Sequence, residues 1–135
     1  MFFAILAGVV LPIQAGLNVQ LGRAVQQPVF AAFASFIIGS IGLLIYLFVI
    51  KFDFATVSQA KTISPIVWVA GILGAFYVVA VIVLAPKLGT ALTFSLVVFG
   101  QMAISLILDH YGLLGLPVKA ISWQRILGIA FLIAG

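Results

Sequence analysis

The sequence predicts an all-α fold: a polytopic transmembrane bundle of about five helices, forming one domain over residues 1–135. Two observations predict it. The chain is 66% hydrophobic and only 6% charged, whereas soluble globular domains average about 45–50% apolar and about 25% charged residues. Six basic and two acidic side chains cannot cover a water-exposed domain of 135 residues. The second observation is arrangement: apolar runs of about 20 residues alternate with short polar turns, and about 20 residues is what a helix needs to cross a ~30 Å hydrocarbon core.

The first span, residues 2–21, runs from Phe2 to Leu21 and closes at Gly22-Arg23. It lacks a basic leader and exceeds the ~7–15 apolar residues of a secretory signal, so it reads as a membrane helix. Gln26-Gln27-Pro28 makes a polar turn, with proline at the head of the next helix, where its missing N–H costs nothing. The second span, 30–50, closes at Lys51-Phe52-Asp53, and residues 51–64 form the longest polar connection. Pro65 opens the third span, 65–84. Ala85-Pro86-Lys87-Leu88-Gly89 reads as a tight turn into the fourth span, 90–108, which Asp109-His110-Tyr111-Gly112 ends. After a loop holding Gly115 and Pro117, the last segment, 122–135, starts with Trp123 and Arg125 at the interface. Its length of about 14 residues gives ~21 Å of helix, so the fifth helix is expected to be cut short.

The basic residues Arg23, Lys51, Lys61, Lys87, Lys119 and Arg125 stand singly near span ends, as headgroup anchors do. That placement argues against a nucleic-acid partner and for the lipid bilayer. With five spans, Lys51, Lys61, Lys119 and Arg125 share one side with the N-terminus, and Arg23 and Lys87 lie on the other. The slight excess favours a cytoplasmic N-terminus. A bias this small permits both insertions, so dual topology with an antiparallel homodimer is the expectation. The chain has no cysteine, which removes disulfides and thiol chemistry.

Polar groups inside a bilayer are costly and therefore informative. Gln14 and Asn18 are spaced i, i+4 on one face of the first helix, just after Pro12, which removes a backbone hydrogen bond and is expected to kink it. They either line a polar cavity near mid-membrane or hydrogen-bond a neighbouring helix. Gln101, Ser105 and Asp109 repeat the spacing on the fourth helix, with Gln101 deepest. Facing a cavity, Asp109 could exchange a proton with solute, with His110 as relay; at the interface it would stay ionised and pair with a base. Ser35, Gly39 and Gly42 on the second helix, and Gly71 and Gly74 on the third, read as small-residue packing positions. Trp68 and Tyr77 suit either an interfacial belt or a pocket wall. No phosphate loop, metal-ligand spacing or nucleophile elbow is present, so neither catalytic residues nor a metal nor a cofactor is expected, and an enzyme is not.

Several segments together resemble one family. They are Pro12-Ile-Gln14-Ala-Gly-Leu-Asn18 with Leu21-Gly22, Ser35-Phe36-x-x-Gly39, Gly71-x-x-Gly74-Ala75-x-Tyr77, Pro86-x-Leu88-Gly89, Gly100-Gln101 and Asp109-x-x-Gly112. In this order they resemble the drug/metabolite transporter superfamily, and within it the short five-helix YdcZ-type branch. The resemblance implies a bacterial inner-membrane exporter of small molecules, one five-helix half that pairs with a second copy or a homologous subunit. Related small multidrug resistance proteins carry a glutamate in the first helix; this chain has Gln14 in that region and no acid. A pocket of Gln14, Asn18, Gln101, Ser105 and aromatic side chains favours a neutral or zwitterionic solute. The rivals are a small dual-topology ion channel, to which Asn18 could contribute, and a non-transporting scaffold whose polar groups satisfy one another.

Overall fold

The computed structural model describes residues 1–134, with side-chain surroundings for all of them except Ile129 and residues 132–134; the expected end of the last span at Gly135 lies outside the described residues. Among the described residues five α-helices follow one another: α1 (Phe2–Ala24), α2 (Pro28–Val49), α3 (Ala70–Leu88), α4 (Thr90–Tyr111) and α5 (Trp123–Ala134). There is no strand among the described residues. Among the described residues, four stretches are long and apolar enough to cross a membrane: Phe2–Ala24, Pro28–Val49, Pro65–Leu88 and Thr90–Tyr111. The described part of α5 has 12 residues, about 18 Å of helix.

The helix ends are written in local chemistry. At the end of α1 the N–H of Gln27 returns to the Gly22 carbonyl at 2.9 Å and that of Gln26 to Arg23 at 3.3 Å. Gln26 takes φ 53° to allow it, which completes a Schellman closure. The same closure recurs after α2, where Phe52 N–H reaches the Leu47 carbonyl at 3.0 Å and Lys51 adopts φ 54°. Neither closure carries the usual glycine, which is why the first span was expected to stop short of its true end. Pro28 is the first residue of α2, and the Gln27 side chain accepts from Val29 N–H.

Three stretches depart from expectation. The 51–64 connection is not open loop: Phe54–Thr62 forms a 3₁₀ helix, started by Asp53, whose carboxylate accepts from Ala55 N–H at 2.9 Å. Phe52 and Phe54 meet edge to face at 5.3 Å, and Phe54 also meets Phe48 of α2 at 5.5 Å, so the connection folds back on apolar surface. The third span opens as a 3₁₀ turn over Pro65–Val69 before α3 begins. The predicted turn at 85–89 is helix up to Leu88, with Pro86 inside its last turn. A proline so near a helix end forfeits one hydrogen bond without ending the helix. What ends it is Gly89, at φ 85° and ψ 151°, a region glycine alone enters freely.

The chain forms two compact units, Met1–Lys87 and Leu88–Gly135. In the first, α1 packs along α2, and Ala31 (0% exposed), Ala32 and Ile82 make a small core joined by Val19, Val78 and Val79. The helices approach closely at Gly22, where a Cβ would lie 3.4 Å from Pro28 Cα, 3.5 Å from Ile82 Cγ2 and 3.6 Å from Ala31 Cβ. Gly74 likewise faces the Phe36 ring at 3.5 Å. The packing expected at Gly39, Gly42 and Gly71 is not made among the described residues, where nothing lies within 4 Å of a Cβ at any of them. Close helix contact needs a neighbour as well as a small residue, and the neighbours stand at Gly22 and Gly74. Only 6–11% of the residues in an 18-residue window of each spanning stretch are buried, so most of them keep some surface outside the chain's own packing.

In the second unit, α4 packs on α5 and on the short turn Leu113–Gly115. Gly112 ends α4 at φ 61°, and a Cβ there would sit 2.6 Å from Val118 Cγ2. Gly112→Ala is therefore expected to destabilise this unit by about 1–2 kcal/mol from the left-handed conformation alone. Thermal melting in detergent measures it, and a melting point equal to the parent's would contradict the geometry.

Candidate solute groove

The amides of the first helix and the hydroxyl of the second converge on one point. Gln14 and Asn18 project from the same face of α1, and both donate to Ser35 Oγ of α2, each at 3.4 Å. These bonds lie beyond the usual range for amide donors and are correspondingly weak. Asn18 is buried, Gln14 is exposed, and Ser35 lies between the two. No buried side-chain polar atom among the described residues lacks a partner. The arrangement therefore leaves its free capacity on the open side. Gln14 keeps an amide oxygen and Ser35 a hydroxyl proton, with no protein partner for either among the described hydrogen bonds.

That side is a groove of about 230 Å³. Gln14, Ser35 and Ser40 supply its polar wall, and Phe36, Leu43 and Val78 its apolar wall, with Gly39 between them. A few fixed polar groups on an otherwise apolar concave surface are the usual make-up of a small-molecule site. Ser35 and Gly39, expected as packing positions, both line it. Ser40, Phe36, Leu43 and Val78 were missed by reasoning from the sequence. Ser40 is one residue from the stripe of Ser35 and Gly39, and its membership depends on how α2 is rotated against α1 and α3.

Trp68 stands apart. It is 69% exposed, belongs to the 3₁₀ turn rather than to α3, and lines a different depression with Val57, Ala60, Lys61, Ile63 and Pro65. Tyr77 is half-buried on α3 and is not among the lining residues of the groove.

The second unit carries its own polar strip. Gln101 and Ser105 are exposed on α4 and make no side-chain hydrogen bond among the described residues. One helical turn on, Asp109 accepts from Arg125 Nη1 at 2.9 Å, with the two side chains 31% and 35% exposed. The Asp109 carbonyl also accepts from Lys119 N–H at 2.8 Å. Asp109 thus ties together the end of α4, the connection and the start of α5. His110 is exposed and meets the Tyr111 ring edge to face at 4.8 Å. A half-exposed ion pair contributes little, so Asp109→Asn is expected to cost less than about 1 kcal/mol, read by thermal melting. Among the described residues no cluster of His, Cys, Asp or Glu could hold a metal ion.

The whole chain, residues 1–135, matches the family model described as "Putative inner membrane exporter, YdcZ". No curated protein and no solved structure matches it.

Proposed function

The chain belongs to the YdcZ family of inner-membrane exporters, a multi-pass membrane protein, and from that premise we propose that it is a secondary transporter subunit carrying a small neutral or zwitterionic polar solute. The observation that carries the reading is the groove of Gln14, Ser35 and Ser40. It offers amide and hydroxyl groups with spare hydrogen-bonding capacity at the depth of the spanning helices, and no charge. A solute rich in hydroxyl, amide or paired opposite charges is held there; one with a net charge would enter low-dielectric surroundings without a counter-ion. Gln101 and Ser105 offer the same chemistry on α4 and are proposed as solute contacts during the cycle. The protein is not proposed to be an enzyme.

The reading includes a partner. Where a Cβ would stand on Gly39, Gly42 and Gly71, nothing among the described residues lies within 4 Å, and such surfaces admit a second helix closely. An antiparallel homodimer, or a pair with a homologous subunit, would close the groove and supply the inverted symmetry on which alternating access runs. Asp109 is the proposed coupling group, because its carboxylate holds Arg125 and so joins α4 to α5. Asp109→Asn then removes the dependence of flux on a proton gradient while sparing flux down the solute gradient.

One observation favours a scaffold instead: Gln14 and Asn18 both rest on Ser35, as helix–helix hydrogen bonds do. The test is flux in reconstituted vesicles, after a thermal-shift screen of neutral and zwitterionic metabolites has chosen the solute. Carriage predicts saturable flux that Gln14→Ala and Gln101→Ala each lower. A scaffold predicts no flux and a melting point that falls in the variants, and current-scale flux would indicate a channel.

A further inference from the structure

We propose that the end of the first unit carrying Arg23 and Lys87 is a binding site for an anionic phospholipid, distinct from the solute groove. The inference starts from direction. Helices α1 and α3 run the same way, with α2 returning between them, so the basic residue in the last turn of each arrives at the same bilayer face. Between them lies a groove of about 390 Å³, floored by Val19, Ile82 and Val83 and rimmed by Arg23 and Lys87. It opens beside Gly22, where α1, α2 and α3 come closest.

The two parts of this groove ask for the two parts of one molecule. The floor is apolar, which fits an acyl chain. The rim holds two cations and no acid. The chain's two carboxylates are engaged elsewhere, Asp53 capping the 3₁₀ helix after α2 and Asp109 on Arg125. The one ion pair among the described residues is that of Asp109 with Arg125, so neither rim cation is neutralised. The carbonyl ends of α1 and α3 offset part of the positive field, while the N-terminus of α2, at Pro28 beside the groove, adds to it. An anionic headgroup suits this rim. A zwitterionic one brings an ammonium against two cations. Basic clefts between spanning helices at a membrane surface recognise acidic lipids by this chemistry.

Native mass spectrometry of the purified full chain, delipidated and titrated with phosphatidylglycerol or phosphatidylethanolamine of matched acyl chains, tests the proposal. Phosphatidylglycerol is expected to be retained about tenfold better, since each surface cation favours an acidic lipid by several-fold. Arg23→Gln with Lys87→Gln brings that ratio close to one. The charge-preserving pair R23K and K87R retains it, as does K51Q with K61Q, which removes two cations from the opposite face. The proposal is overturned if the parent shows no preference or if R23Q with K87Q keeps it. It is overturned also if glycerol 3-phosphate displaces the lipid at comparable concentration, because a soluble anion would then be the occupant. Equal helicity and melting of all variants guards against misfolding as the cause of a lost preference.

Discussion

Ser35→Leu is expected to lower solute flux in reconstituted vesicles about tenfold, a loss of ~1.4 kcal/mol in solute binding. Two effects act together. The substitution removes the one hydroxyl on which Gln14 and Asn18 converge, and it places a branched side chain in a groove of about 230 Å³. Ser35→Ala separates them, since it deletes the hydrogen bonds and leaves the space. A smaller defect is expected there, with part of the loss in apparent affinity rather than in maximal rate. Asn18 is buried and donates to Ser35 Oγ, so Ser35→Ala is also expected to lower the melting point, because a buried donor loses its partner. Flux unchanged in Ser35→Leu would show that solute does not use this groove, and would return Gln14 and Asn18 to a purely structural role.

Ala31→Leu is expected to produce the largest loss of stability. Ala31 is fully buried and faces Gly22, whose missing Cβ would lie 3.6 Å from its own. Extra methylenes there have nowhere to go, and overpacking of this kind costs about 1–3 kcal/mol. The comparison with Ile82→Ala is instructive. In water that truncation would lose both a hydrophobic transfer term and a cavity term. In a bilayer the unpacked helix meets acyl chains as apolar as the isoleucine, so only the lost packing counts. The insertion should therefore outweigh the truncation, the reverse of the usual order in soluble cores. Equilibrium unfolding in mixed micelles measures both. An Ala31→Leu protein as stable as its parent would mean that α1 and α2 separate without cost, and that the Gly22 crossing does not hold the first unit together.

How much of this was legible beforehand follows from what kind of force sets each feature. The four spanning stretches were readable because a bilayer demands a fixed length of apolar residues with internal hydrogen bonding, and that demand is met locally. The family was readable from scattered glycines, prolines and glutamines taken in order. Helix ends were less so. The Schellman closures after α1 and α2 use Gln26 and Lys51 at positive φ, where a glycine would have announced them. Pro86 announced a turn that Gly89 makes instead.

The sequence alone determined the solvent, the four long spanning stretches and which helix faces carry amides, because composition and spacing act within one helix. Only the tertiary structure decided that Gln14 and Asn18 meet on Ser35 and that Trp68 stands away from them. The same holds for the close approach at Gly22 and Gly74 rather than at Gly39, Gly42 and Gly71. Each of these depends on how one helix is rotated and shifted against another. In a chain apolar on every side, no hydrophobic stripe encodes that rotation; close packing and a few hydrogen bonds between helices choose it.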